Sequence, residues 1–100
     1  MKDSKIQDHL LYITHLKVKN LYSSPKLRGV TAIWRDDTAN ISFYFNDTPT
    51  EEEWENASEV CTEIVAHLPK GMLEENSYVL KYPKPLPNPE FIAYKREEEK

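Results

Sequence analysis

Within Ile41-Ser42-Phe43-Tyr44-Phe45-Asn46-Asp47-Thr48-Pro49-Thr50-Glu51-Glu52-Glu53-Trp54 the apolar positions change period midway. Ile41, Phe43 and Phe45 alternate with Ser42 and Tyr44, which puts the two sets on opposite faces of an extended strand. Thr50-Glu51-Glu52-Glu53 then has the form of a capping box, in which the Thr50 hydroxyl accepts from the Glu53 N–H and the Glu53 carboxylate reaches back to the Thr50 N–H. A helix is predicted from this point. Trp54, Ala57, Cys61, Ile64, Val65 and Leu68 fall along it in a stripe roughly 100° wide, the pattern of a helix laid on a core. Pro69 and Gly71 are expected to stop it.

Upstream, residues 27–34 carry Val30, Thr31, Ile33 and Trp34, which suit a pleated surface. Residues 35–40 supply turn formers, so this strand and the one at 41–45 make a hairpin. Residues 4–20 read as a first helix. Asp3 or Ser4 is placed to cap it, Ile6, Leu10, Ile13 and Leu16 line one stripe with His9 beside them, and Ser24-Pro25 lies beyond its end. Downstream, residues 77–82 and 91–95 read as third and fourth strands, joined through prolines 83, 85, 87 and 89 in an extended, polyproline II-like connection. The order helix, strand, strand, helix, strand, strand predicts a two-layer α+β fold, both helices on one face of a mainly antiparallel sheet. The 100 residues form a single domain, with frayed ends expected at 1–3 and 97–100.

Composition narrows the function classes. The chain is 39% hydrophobic and 30% charged, enough apolar side chain for one small core. No apolar run approaches the ~18–20 residues of a membrane span, and no signal-peptide core is present. A single cysteine closes no internal disulfide, so a cytoplasmic setting is expected. Cys61 itself, mid-helix on the apolar stripe, reads as inert packing. His9, His15 and His67 are too dispersed for a metal set. Neither phosphate-cradling glycine motif occurs, no serine sits in a nucleophile elbow, and the carboxylates form a helical row rather than a pair across a cleft. No catalytic residue, metal or cofactor is expected.

Residues 41–76 hold nine acidic side chains against one basic, whereas residues 1–40 hold seven basic against four acidic. Such an acidic block opposes binding to nucleic-acid phosphates. Within it Glu55, Glu59 and Glu63 follow at i, i+4 with Glu52 close by, and each like-charge pair costs about 0.2–0.5 kcal/mol in an isolated helix. The row is either a solvated face that keeps the protein soluble or a docking surface for a basic partner.

Three blocks carry a resemblance: Ser24-Pro25-Lys26-Leu27-Arg28-Gly29-Val30; residues 43–52 with Ala57-Ser58-Glu59-Val60 and His67-Leu68-Pro69; and Tyr82-Pro83-Lys84-Pro85-Leu86-Pro87 with Ala93-Tyr94-Lys95-Arg96-Glu97. Over about residues 24–97 the chain resembles small bacterial immunity proteins of contact-dependent growth inhibition and related polymorphic-toxin systems. It departs from their pattern at Asn46-Asp47-Thr48, where an Asp-Gly-type turn is usual, and at Lys84, where an acidic residue is common. The resemblance implies a protein that performs no chemistry and binds the C-terminal domain of a toxin, often a basic nuclease, over its active site or substrate path. Asp47, Glu52, Glu55, Glu59 and Glu63 are the electrostatic contacts expected on this basis, with Tyr44 as an anchor. The competing reading is an adaptor that binds another protein through its sheet edge or proline segment.

Overall fold

Asp36 and Asp37 turn the chain in two residues, both with positive φ (52° and 55°), in the computed structural model, which describes residues 3–22, 24–68 and 72–96. Two successive left-handed residues give the tight hairpin turn whose twist matches that of its strands, and aspartate tolerates that region better than most side chains. Arg35 therefore pairs directly with Thr38, and Thr38, Ala39 and Asn40 belong to a strand rather than to the longer turn predicted. The strands are β1 (Leu27–Arg35) and β2 (Thr38–Phe45). The first helix, α1 (Asp3–Leu21), already contains both cap candidates, Asp3 and Ser4, so neither precedes it as its cap.

The capping box forms as read: Thr50 Oγ1 accepts from the Glu53 N–H at 3.1 Å, and Glu53 Oε1 accepts from the Thr50 N–H at 2.8 Å. The helix it opens, α2 (Glu51–Val65), ends at Ala66, ahead of Pro69 and Gly71, which lie outside the described residues together with 97–100. Because α2 carries the chain back across the sheet, the next strand, β3 (Met72–Val79), runs parallel to β2. It starts earlier and ends earlier than the predicted 77–82. The last strand, β4 (Ile92–Lys95), pairs antiparallel with β1, giving a mixed sheet of order β3-β2-β1-β4, antiparallel at two of its three junctions.

Both helices cover one face of this sheet and run antiparallel to each other, with contacts from His9 to His67, Lys17 to Glu63 and Tyr22 to Glu53. The core between the layers takes Ile6, Leu10, Ile13 and Val18 from α1 and Ala57, Val60, Cys61 and Ile64 from α2. The sheet supplies Val30, Ala32, Ile41, Phe43 and Phe45, and the Tyr22 ring packs 5.9 Å from that of Phe43. Leu16 is only half buried, whereas Val18, on a different part of the helix surface, is in the core. Trp54 departs from the predicted stripe more sharply: it is 58% exposed, beside β3 rather than under α2.

The proline-rich connection is not the extended rod predicted. Lys84 N–H bonds back to the Lys81 carbonyl at 3.0 Å, Asn88 is left-handed (φ 51°), and Pro89–Phe91 form a 3-10 turn. The buried Leu86 is carried onto Gly29, on the sheet face opposite the helices. Arg28, 1% exposed, donates to the Leu80 carbonyl at 2.7 Å and lies 5.7 Å from the Tyr82 ring centre. Residues 80–88 are thus a strap held to the sheet. No helix among the described residues is long and apolar enough to cross a membrane.

Candidate functional site

The glutamates at the start of α2 divide by what they touch. Glu53 faces inward across the helix end: it accepts from the Ser24 hydroxyl, closes the capping box and sits 3.4 Å from Lys26 Nζ. The Ser24 hydroxyl above all, then the Thr50 N–H, holds its carboxyl down at about 2, far below the usual 4.5. Tyr22, whose hydroxyl donates to the Glu53 carbonyl, is pushed up to about 12 by burial and then by the Glu53 charge. This cluster fastens the α1–β1 connection to the start of α2.

Glu52, Glu55, Glu59 and Glu63 point the other way. They span about 80° of the helix circumference on the side opposite Ala57, Val60 and Ile64, and all four are exposed. Glu63 lies 3.9 Å from Lys17, a partly solvated pair of the kind worth roughly 0–1 kcal/mol. Glu52, Glu55 and Glu59 have no ion-pair partner among the described residues. Asp47 stands exposed in the β2–α2 loop, accepting from the Thr48 N–H at 2.8 Å.

Tyr44 does not share this surface. It is 6% exposed on the opposite sheet face, its ring stacked 5.5 Å from that of Tyr78 with the planes 19° apart. The exposed ring of the pair is Tyr78. Trp34 is in the core, packed on the helix side. Cys61 is buried beneath α2, and burial first, then the Glu75 charge, pushes its thiol up to about 12, which leaves no thiolate to react. Among the described residues no group of three His, Cys, Asp or Glu side chains is placed to hold a metal ion.

A second feature lies where α2 meets the border strand. Thr48, Pro49, Thr50, Glu51 and Trp54 on one side and Ser77, Tyr78 and Val79 on the other line an open hollow of about 450 Å³. Trp54, Tyr78 and Val79 stand 58%, 49% and 48% exposed around it. An adjoining hollow brings Glu55, Ser58 and Glu75 beside the same tryptophan, with Ser58 Oγ donating to Glu75 at 2.8 Å. The signal for this hollow was present in the position of Trp54, at the margin of the apolar stripe and in the first turn, where a helix overhangs the sheet most easily.

Residues 23–98 match the family described as MafI2 immunity protein. No curated protein matches the chain.

Proposed function

The chain belongs to the MafI2 immunity protein family, its role is immunity to a toxin, and from that premise we propose that it neutralises a basic nuclease by binding its C-terminal domain. The complex forms in the cytoplasm of a cell exposed to contact-dependent growth inhibition or a related system. The acidic outer stripe of α2 occupies the path that the nucleic-acid backbone takes through the toxin. Glu52, Glu55, Glu59 and Glu63 are the electrostatic contacts, Asp47 extends them past the helix start, and Tyr44 acts from behind by bracing Tyr78. Neutralisation of this kind is a matter of occupancy and requires no chemistry from the chain.

The observation that carries this reading is the set of exposed glutamates on α2, of which Glu52, Glu55 and Glu59 have no ion-pair partner among the described residues. Their mutual repulsion is a local cost, offset when a positively charged surface takes the place of water. Along its 15 residues α2 offers a ridge about 22 Å long, which suits the roughly 800 Å² that each partner contributes to a standard interface. The proline segment, folded onto Gly29 by Leu86, presents no extended ligand for an adaptor role.

Charge reversal tests it. Glu55→Lys, Glu59→Lys and Glu63→Lys together, on exposed residues, are expected to slow association with the cognate toxin domain about ten-fold or more at low salt. The slope of rate against ionic strength should fall as well. Unchanged association kinetics in stopped-flow mixing would remove the acidic stripe from the mechanism.

A further inference from the structure

β3 forms the border of the sheet beside α2, and half of its backbone points away from the sheet. The Met72 N–H donates to the Asp37 carbonyl at 2.9 Å and the Leu80 N–H to the Phe45 carbonyl at 2.8 Å. Ladder bonds alternate along a strand, so the even-numbered residues face β2, and Leu73, Glu75, Ser77 and Val79 direct N–H and C=O outward. Among the described residues nothing pairs with the backbone of Glu75, Ser77 or Val79. The pairing with β2 runs from Met72 to Val79 without a bulge, and the strand contains neither proline nor lysine. Those are among the devices that normally blunt a border strand; the charges of Glu74 and Glu75 are the one it carries. The opposite border, β4, is only four residues long, ends on Lys95 and leads into Arg96.

The free edge runs alongside the hollow of Trp54, Pro49, Tyr78 and Val79. Charge around this groove has one sign: Glu51, Glu55 and Glu75 line it and the hollow that adjoins it, and among the described residues lining either there is no lysine or arginine. We propose that β3 receives an extended basic segment of the toxin as a fifth strand, with one apolar or aromatic side chain of that segment seated against Trp54 and Val79. Main-chain hydrogen bonds to Glu75, Ser77 and Val79 supply register, and lysine or arginine flanking the seated residue meets the glutamates. A second copy of this chain is the poorer occupant, because it brings another Glu74-Glu75 pair and another acidic helix to the same groove. This inference rests on the reading of the chain as a toxin-binding protein and adds to the α2 stripe a contact whose main-chain and apolar parts are insensitive to salt.

Amide hydrogen exchange on the wild-type chain, free and bound to the toxin domain, tests it residue by residue. The amides of Glu75, Ser77 and Val79 are expected to exchange rapidly in the free chain and to slow by about a hundred-fold or more in the complex. Ser77→Pro removes an outward donor without touching the β2 ladder, and Trp54→Ala empties the hollow; each is expected to weaken binding about ten-fold or more in calorimetry. Three amides that stay fast in a complex that nonetheless forms overturn the strand proposal and leave toxin binding intact. No complex with the wild-type chain overturns the functional reading itself. Concentration-dependent protection of the same amides in the free chain, with a dimer in sedimentation, makes a second copy the occupant and also overturns the proposal.

Discussion

Glu53 shows how one side chain is committed to structure while its neighbours are left to solvent. Its carboxylate receives the Ser24 hydroxyl and the Thr50 N–H, and that stabilisation of the charged form is why its pKa falls to about 2 from 4.5. In the unfolded chain the group protonates as pH drops through 4.5; in the folded chain it stays ionised until about 2. The unfolded state therefore binds more protons in that window, so the contribution is fully present above the upper value and lost as pH falls toward the lower one. Glu53→Gln should melt below the wild type at pH 7, with the gap closing in acid. A gap of constant size across pH 7, 4 and 2.5 in thermal melts would show that the charge does not matter. The same substitution should leave toxin association unchanged, because Glu53 is turned away from the outer stripe of α2.

At the scale of elements, what could be read from the chain was what is decided locally. The capping box and the α2 glutamate stripe depend on spacings of three and four residues, and both appear where the sequence placed them. β3 does not depend on such spacings. Glu74-Glu75-Asn76 have weak strand preference and interrupt any alternation, and the strand exists because α2 delivers it to β2, where eight residues find partners in register. The strap departs from expectation for a related reason: four prolines predict an extended path, but Arg28 and Leu86 fix where it goes. Tyr44 and Trp54 exchanged the expected roles, one buried and one exposed, because the limits of a face are set by its neighbours and not by its period. Gly29 gives the strap a test. A methyl group there would meet Leu86 Cδ1 at 2.6 Å and the Tyr94 carbonyl oxygen at 2.9 Å, and while a leucine end can move, a carbonyl in the β1–β4 ladder cannot. Gly29→Ala is expected to cost about 1–3 kcal/mol in denaturant unfolding. Leu86→Ala added to it should recover less than half of that loss, since the carbonyl contact remains; full recovery would mean that only the strap was crowded.

For the whole molecule, the consequence of housing an acidic ridge and an open strand on adjoining surfaces is that one partner can use two kinds of attraction at once. Among the described residues the basic ones of the first 40 positions are spread over α1, β1 and their connection, whereas the acidic ones of the middle segment, Asp47 apart, gather on α2 and β3, so the charge layout is polar across the fold. Binding to the folded chain alone stabilises it by mass action, about 2.7 kcal/mol when the free toxin domain is at one hundred times its dissociation constant. For a domain of this size each kcal/mol moves the melting temperature by roughly 4–8 °C, so a rise of about 11–22 °C is expected. Salt separates the two attractions: screening extends over about 10 Å at 0.1 M and about 3 Å at 1 M, which removes most of what the exposed glutamates contribute and little of what backbone pairing and the Trp54 hollow contribute. At fixed toxin concentration the rise should therefore shrink but persist as salt is increased over that range. In the Glu55, Glu59 and Glu63 reversal it should depend less on salt than in the wild type, whereas in Trp54→Ala it should be smaller than the wild-type rise at 1 M. A wild-type rise that is the same at both salt concentrations would mean that the ridge serves only to keep the protein in solution, and the toxin would then be held by the border strand alone.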